Sequence, residues 1–156
     1  MKDWVFIALV SVAIIHVFEE YAFPGGFADA LRNLLPRSTH LFTSGFHWVV
    51  NGLFLLLCIG CALIGQSNLI LSLSAFSLIF VNALLHIRGS ILTRRYYPGV
   101  ISAVFLYIPL AVYAYSGFLV SGQLNWQEAL ISGLLGTLFM TLLICYVLLS
   151  QDKHRS

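Results

Sequence analysis

Charge is what this sequence has least of. Asp, Glu, Lys and Arg make up 9% of its 156 residues and 60% of the residues are hydrophobic, whereas a soluble domain carries roughly a quarter charged residues. An ordinary water-soluble globule is excluded. The few basic residues sit at the ends of apolar runs and not along one face, so the electrostatic footprint of a nucleic-acid binder is missing and no such partner is expected. Cysteine is scarce too. Cys58 and Cys61 fall inside one apolar run and Cys145 in another, roughly 21 Å apart along a straight bundle. They form no disulfide framework and read as small apolar packing residues.

What is present points to lipid. Five apolar runs cover roughly 4–22, 41–65, 69–92, 100–120 and 128–149, and a spanning helix needs about 20 residues. The runs are continuous, unlike the alternation of a membrane barrel, and backbone groups in lipid must be satisfied within their own segment. The expected fold is an all-α polytopic membrane bundle of five transmembrane helices forming one domain over 1–156. Punctuation agrees with it: Pro24-Gly25-Gly26, Pro36, Gln66-Ser67-Asn68, Pro98-Gly99 and Gly122 to Asn125 mark the breaks. The first run is the weakest, because Trp4 to Phe18 covers only about 22 Å; it spans only if Glu19 and Glu20 lie at or inside the interface. A cleaved signal peptide is disfavoured, since two acids follow the run directly and Ala28-Asp29-Ala30 lies too far downstream.

Five spans put the termini on opposite sides. Lys2 then stands alone on one side, while Arg32, Arg37, Arg88, Arg94, Arg95, Lys153 and Arg155 share the other. By the positive-inside rule the protein lies in the inner membrane with its N-terminus outside and its C-terminus cytoplasmic. Between the first two spans, Phe27, Leu31, Leu34 and Leu35 recur at helical spacing opposite Asp29, Arg32 and Asn33. A short amphipathic interfacial helix is expected there, as a linker or as a lid.

Ionisable residues inside spans are costly and usually face the bundle interior. His16, Glu19 and Glu20 stand at i, i+3 and i+4 near the cytoplasmic end of the first span. His40, Thr43, His47 and Asn51 form a stripe on the second, and Asn82 and His86 lie one turn apart on the third. His16, His47 and His86 fall about 6, 9 and 3 Å inside the same boundary at 1.5 Å per residue. One layer of three imidazoles and two carboxylates suits Zn, Fe or Mn. The expected ligands are His16, Glu19, His47 and His86, with Glu20 moving protons and Tyr96 and Arg94 binding or polarising a substrate's polar end. Asn51, Asn82 and His40 are the candidates for orienting those ligands. The competing reading pairs Glu19 and Glu20 with Arg94 or Arg95 at a wetted interface and leaves the histidines as hydrogen-bonded interior groups.

His16-Val17-Phe18-Glu19-Glu20, then Asn82-x-x-x-His86, then Tyr96-Tyr97-Pro98-Gly99 resemble the HXXEE-domain family of small bacterial and archaeal membrane proteins. The resemblance runs from 16 to 99. It implies that His16, Glu19, Glu20, His86, Tyr96, Pro98 and Gly99 are the family signature, and it supplies no reaction. His40 and His47 rest on the helical stripe alone. Pro98 is expected to set a rigid turn before the fourth span, with Tyr96 at the headgroup level as an anchor or proton donor.

Two further features concern packing. Ser132, Gly133, Gly136 and Thr137 give overlapping small-residue steps on the fifth span, which permit close helix contact within the bundle or in a homo-oligomer. Pro109 is expected to kink the fourth span and free the Phe105 carbonyl. The functional expectation is a metal-dependent membrane enzyme acting on a hydrophobic or lipid-like molecule, by hydrolysis or oxidation. A transporter is the first alternative, weakened by the lack of ionisable residues in the outer half, and a structural or assembly subunit is the second.

Overall fold

The computed structural model of the chain describes residues 3–22, 26–35 and 43–152. Those residues form an all-α bundle with no strand among them. The helices are α1 (Trp4–Ala22), α2 (Gly26–Leu34), α3 (Ser44–Ile64), α4 (Leu69–Thr93), α5 (Val100–Ser102), α6 (Ile108–Val120) and α7 (Trp126–Asp152). A 3-10 turn, Gly65–Asn68, joins α3 to α4, and a π-helical turn, Ala103–Tyr107, makes α5 and α6 one rod. The stretches Trp4–Ala22, Gly45–Thr93, Val100–Val120 and Trp126–Val147 are long and apolar enough to cross a membrane.

The 49 residues of Gly45–Thr93 are two antiparallel rods, not one. A straight helix would hold His47 and His86 about 58 Å apart, yet both approach the same Glu20 carboxylate, at 4.0 and 3.3 Å. The reversal occurs at Gly65, whose φ of +52° suits glycine, and Ser72 fastens it by bonding the Cys61 and Gly65 carbonyls. Five rods result, as the apolar runs predict. At one end Gln66 donates to Asp3 (2.5 Å) and Gln123 donates to Gln66 (3.1 Å), gathering the start of α1 and two turns. Glu20, His47, His86 and Ser102 gather at the other.

Helix starts follow capping chemistry. Thr43 accepts from the Phe46 N–H, Asn68 from the Leu71 N–H, and Asn125 and Glu128 exchange bonds as a capping box, which starts α7 two residues before the expected 128. Every residue of α4 from Ser72 to Ile79 is buried, as befits a helix apolar all round. Helix α7 lies against it. A Cβ on Gly136 would sit 2.2 Å from the Ser74 carbonyl, Ser77 donates to the Gly133 carbonyl, and Ser132 meets Tyr115 at 2.8 Å. Gly133, Gly136 and Ser132 thus serve packing inside the chain. Cys58 and Cys61 are buried, Cys145 is exposed, and all three are free.

On α1 the buried residues Phe6, Leu9, Ala13, His16 and Glu20 recur every three or four positions, a single inward stripe. Ile7, Ile14, Ile15 and Phe18 face out. The stripe that packs the bundle therefore carries an imidazole and a carboxylate to its end. Pro109, which has no N–H for the Phe105 carbonyl, follows the π-helical turn; there the Ile108 N–H reaches back five residues to Ala103. A widened turn thus stands where the kink is expected, and on it the Tyr107 ring lies 4.4 Å from His16.

Candidate metal centre

Glu20 lies at the middle of the site. Its Oε1 is 3.5 Å from His16 Nε2 and 3.3 Å from His86 Nε2, and its Oε2 is 4.0 Å from His47 Nε2. All four residues are 5% exposed or less, so water does not screen the cluster. Asn51 Nδ2 donates to Oε2 at 2.8 Å and fixes the plane of the carboxylate. The donor atoms of His16, Glu20 and His86 lie within 4.8 Å of one another. Donors bonded at about 2.0–2.1 Å to a tetrahedral ion stand about 3.3 Å apart, so the spacing fits a first-row divalent metal.

The outer hydrogen bonds decide which nitrogen faces inward. His86 Nδ1–H donates to the Pro98 carbonyl at 2.7 Å. Ser102 Oγ stands 2.8 Å from His16 Nδ1 and 3.2 Å from the Gly99 carbonyl; with the hydroxyl proton on that carbonyl, its oxygen accepts from His16 Nδ1–H. A neutral imidazole protonated at Nδ1 has its lone pair at Nε2. The Nε2 atoms of His16, His47 and His86 are all buried without a hydrogen-bond partner. Lone pairs converging on a buried carboxylate repel one another unless a cation or protons lie between them.

Glu19, expected among the ligands, is engaged elsewhere. Its carboxylate accepts from the Tyr96 hydroxyl (2.6 Å) and from the Ile101 and Ser102 N–H groups (3.0 and 2.7 Å). Consecutive helical residues diverge by about 100°, and here Glu20, on the stripe of His16, takes the place among the histidines that was expected for Glu19. Arg94 is exposed, and its left-handed backbone (φ 51°) ends α4. Tyr96 donates to Glu19, and burial, then Glu19, hold its phenol above the usual range. Asn51 touches the cluster, whereas Asn82 has a buried, unpartnered Oδ1. His40 lies outside the described residues.

Three contributors were not singled out by sequence reasoning. The Phe27 ring on α2 stands 4.8 Å from His86, 5.1 Å from His47 and 5.5 Å from Tyr97, so this amphipathic helix reaches over the cluster. Tyr97 is buried beside His86, and Ser102 holds His16. Phe27 was legible only as part of an apolar face and Tyr97 as a neighbour of Tyr96; Ser102 carried no signal.

Gly99 explains the last motif. Its φ is +91°, and a Cβ there would lie 2.6 Å from His86 Cε1 and 2.9 Å from His16 Cε1. Pro98 presents the carbonyl that His86 needs, and glycine alone lets both rings close over the turn. The HxxEE and YxPG segments are thus one three-dimensional unit, and the family model for proteins of unknown function with an HXXEE motif matches residues 4–114. The chain belongs to this family. The match includes every residue of the cluster and stops before α7. Among curated proteins and solved structures, no match is found.

Proposed function

We propose that this member of the HXXEE family is a metal-dependent enzyme of the inner membrane that acts on a lipid-like substrate at the cytoplasmic leaflet. One observation carries the reading: the buried Nε2 atoms of His16 and His86, without hydrogen-bond partners, face one buried carboxylate oxygen of Glu20 at metal-ligand spacing, with a third such Nε2, that of His47, 4.0 Å from its other oxygen. His16, Glu20 and His86 would hold Zn or Fe, with His47 beside them. Bound there, the ion would supply Lewis acidity or, as iron, redox chemistry. Asn51 orients Glu20, and Phe27 and Tyr97 keep bulk water from the histidines. The basic residues among those described, Arg32, Arg88, Arg94 and Arg95, belong to the helices and the turn that carry the cluster and lie close to it in sequence, which supports the cytoplasmic assignment.

The substrate class is argued from the surroundings. An open groove of about 410 Å³ between α1 and the α5–α6 rod is lined by Ile15, Phe18, Ile101 and Phe105, with Glu19 and Ser102 supplying its polar atoms. Ser102 also touches His16. An acyl or prenyl chain in this groove would bring a polar head beside the cluster. A conduit is less well supported, because Ser72, Ser74 and Ser77 spend their hydroxyls on backbone carbonyls and form no relay toward the other end.

Elemental analysis of detergent-purified protein tests the reading. Stoichiometric Zn or Fe is expected in the parent and is lost in His16→Ala and Glu20→Ala while both remain helical. A folded parent that takes up neither metal on reconstitution would overturn the proposal.

A further inference from the structure

We infer that the two acids of the motif have separate jobs, and that Glu19 with the Tyr96–Ser102 segment forms a clamp that positions the histidines. The inference rests on the metal reading for its purpose, although its geometry stands without it. Glu19 accepts three hydrogen bonds, from Tyr96 before the Pro98-Gly99 turn and from Ile101 and Ser102 after it. The segment is therefore tied to α1 on both sides of the turn. Between those ties lies the Pro98 carbonyl that meets His86, and on the last of them the Ser102 oxygen that meets His16.

Each part of the clamp excludes an alternative. Proline holds its own φ near −65°, glycine removes the Cβ that would strike both rings, and the Gly99 carbonyl, 3.2 Å from Ser102 Oγ, is there to take the Ser102 proton. His86 then keeps its proton at Nδ1, and so does His16 while the Ser102 proton lies on Gly99, and both present Nε2 to Glu20. Partners of this kind orient ligands and raise their basicity, and losing one costs about 10–100-fold in metal affinity. Glu19 and Ser102 act through His16, so they are positioning residues and not ligands.

The test uses full-length protein in detergent, as parent, Ser102→Ala, Glu19→Gln and Tyr96→Phe. Histidine labelled with ¹⁵N reports Nδ1 protonation in metal-free samples, and a Co(II) titration reports affinity, stoichiometry and the visible spectrum. In Ser102→Ala, His16 is expected to lose its Nδ1 proton preference while His86 keeps it. Co(II) affinity should fall about 10–100-fold at unchanged stoichiometry and spectrum. Glu19→Gln should move the same quantities in the same direction, and Tyr96→Phe, at the exposed edge, less. The clamp is overturned if His16 nitrogen protonation is unmoved in Ser102→Ala, or if Glu19→Gln changes Co(II) stoichiometry or spectrum as a ligand would. Should Glu19→Gln fail to fold, Ser102→Ala decides alone. Should the parent bind no Co(II), Zn or Fe, the metal reading falls, and the nitrogen spectrum still decides the clamp.

Discussion

Gly99→Ala is the most demanding perturbation of this site, because it adds one carbon and nothing else. The new Cβ would lie 2.6 Å from His86 Cε1, 2.7 Å from His86 Nδ1 and 2.9 Å from His16 Cε1. Ordinary carbon contacts begin near 3.5 Å, so the two rings must retreat by about 0.6–0.9 Å, or the turn must open. Metal ligands keep their distances within about 0.2 Å. The retreat is several times what a site can absorb. The left-handed backbone adds about 1–2 kcal/mol for a residue with a Cβ, and crowding a packed interior about 1–3 kcal/mol, giving a destabilisation of about 2–5 kcal/mol. Thermal unfolding in detergent should show a clear fall in Tm, and metal analysis a loss of bound ion. Gly52→Ala and Gly60→Ala serve as controls: both sit in α3 with nothing within 4 Å of the added carbon. They should be neutral or stabilising by up to about 1 kcal/mol. Parent-like Tm and parent-like metal content in Gly99→Ala would refute the argument that this turn is shaped to the rings.

Phe27→Ala removes the ring that covers His47 and His86, so removal of metal by a chelator should speed up at least several-fold with stoichiometry unchanged; an unchanged rate would show that α2 does not limit access. Gly136→Leu drives side-chain atoms into the Ser74 carbonyl, which stands 2.2 Å from the first added carbon; α7 should detach from α4, read as a loss of the Tm transition and increased proteolysis. Tyr107→Phe deletes a buried hydroxyl that has no partner, so the metal-free protein should gain about 1 kcal/mol, and a loss of stability would mean that the hydroxyl holds a bound group.

The sequence of this chain settles its rods, its turns and the end of the bundle that carries the polar groups. Hydrophobic run length and the cost of an unsatisfied backbone in lipid leave little else for such a composition. Helical spacing likewise aligns His16 with Glu20. Spacing does not say which of two adjacent acids faces inward, because that depends on where the neighbouring helices stand. Only the tertiary structure put Glu20 among the three histidines and turned Glu19 toward Tyr96, Ile101 and Ser102. It also revealed that Pro98, Gly99 and Ser102 complete the site, which no periodicity could reveal, since Pro98 acts through its backbone carbonyl, Gly99 through a missing Cβ and Ser102 through a hydroxyl on another helix. A pattern of residue types records what each side chain prefers to touch. The direction in which a carbonyl or a lone pair points is fixed only when the whole chain has folded around it.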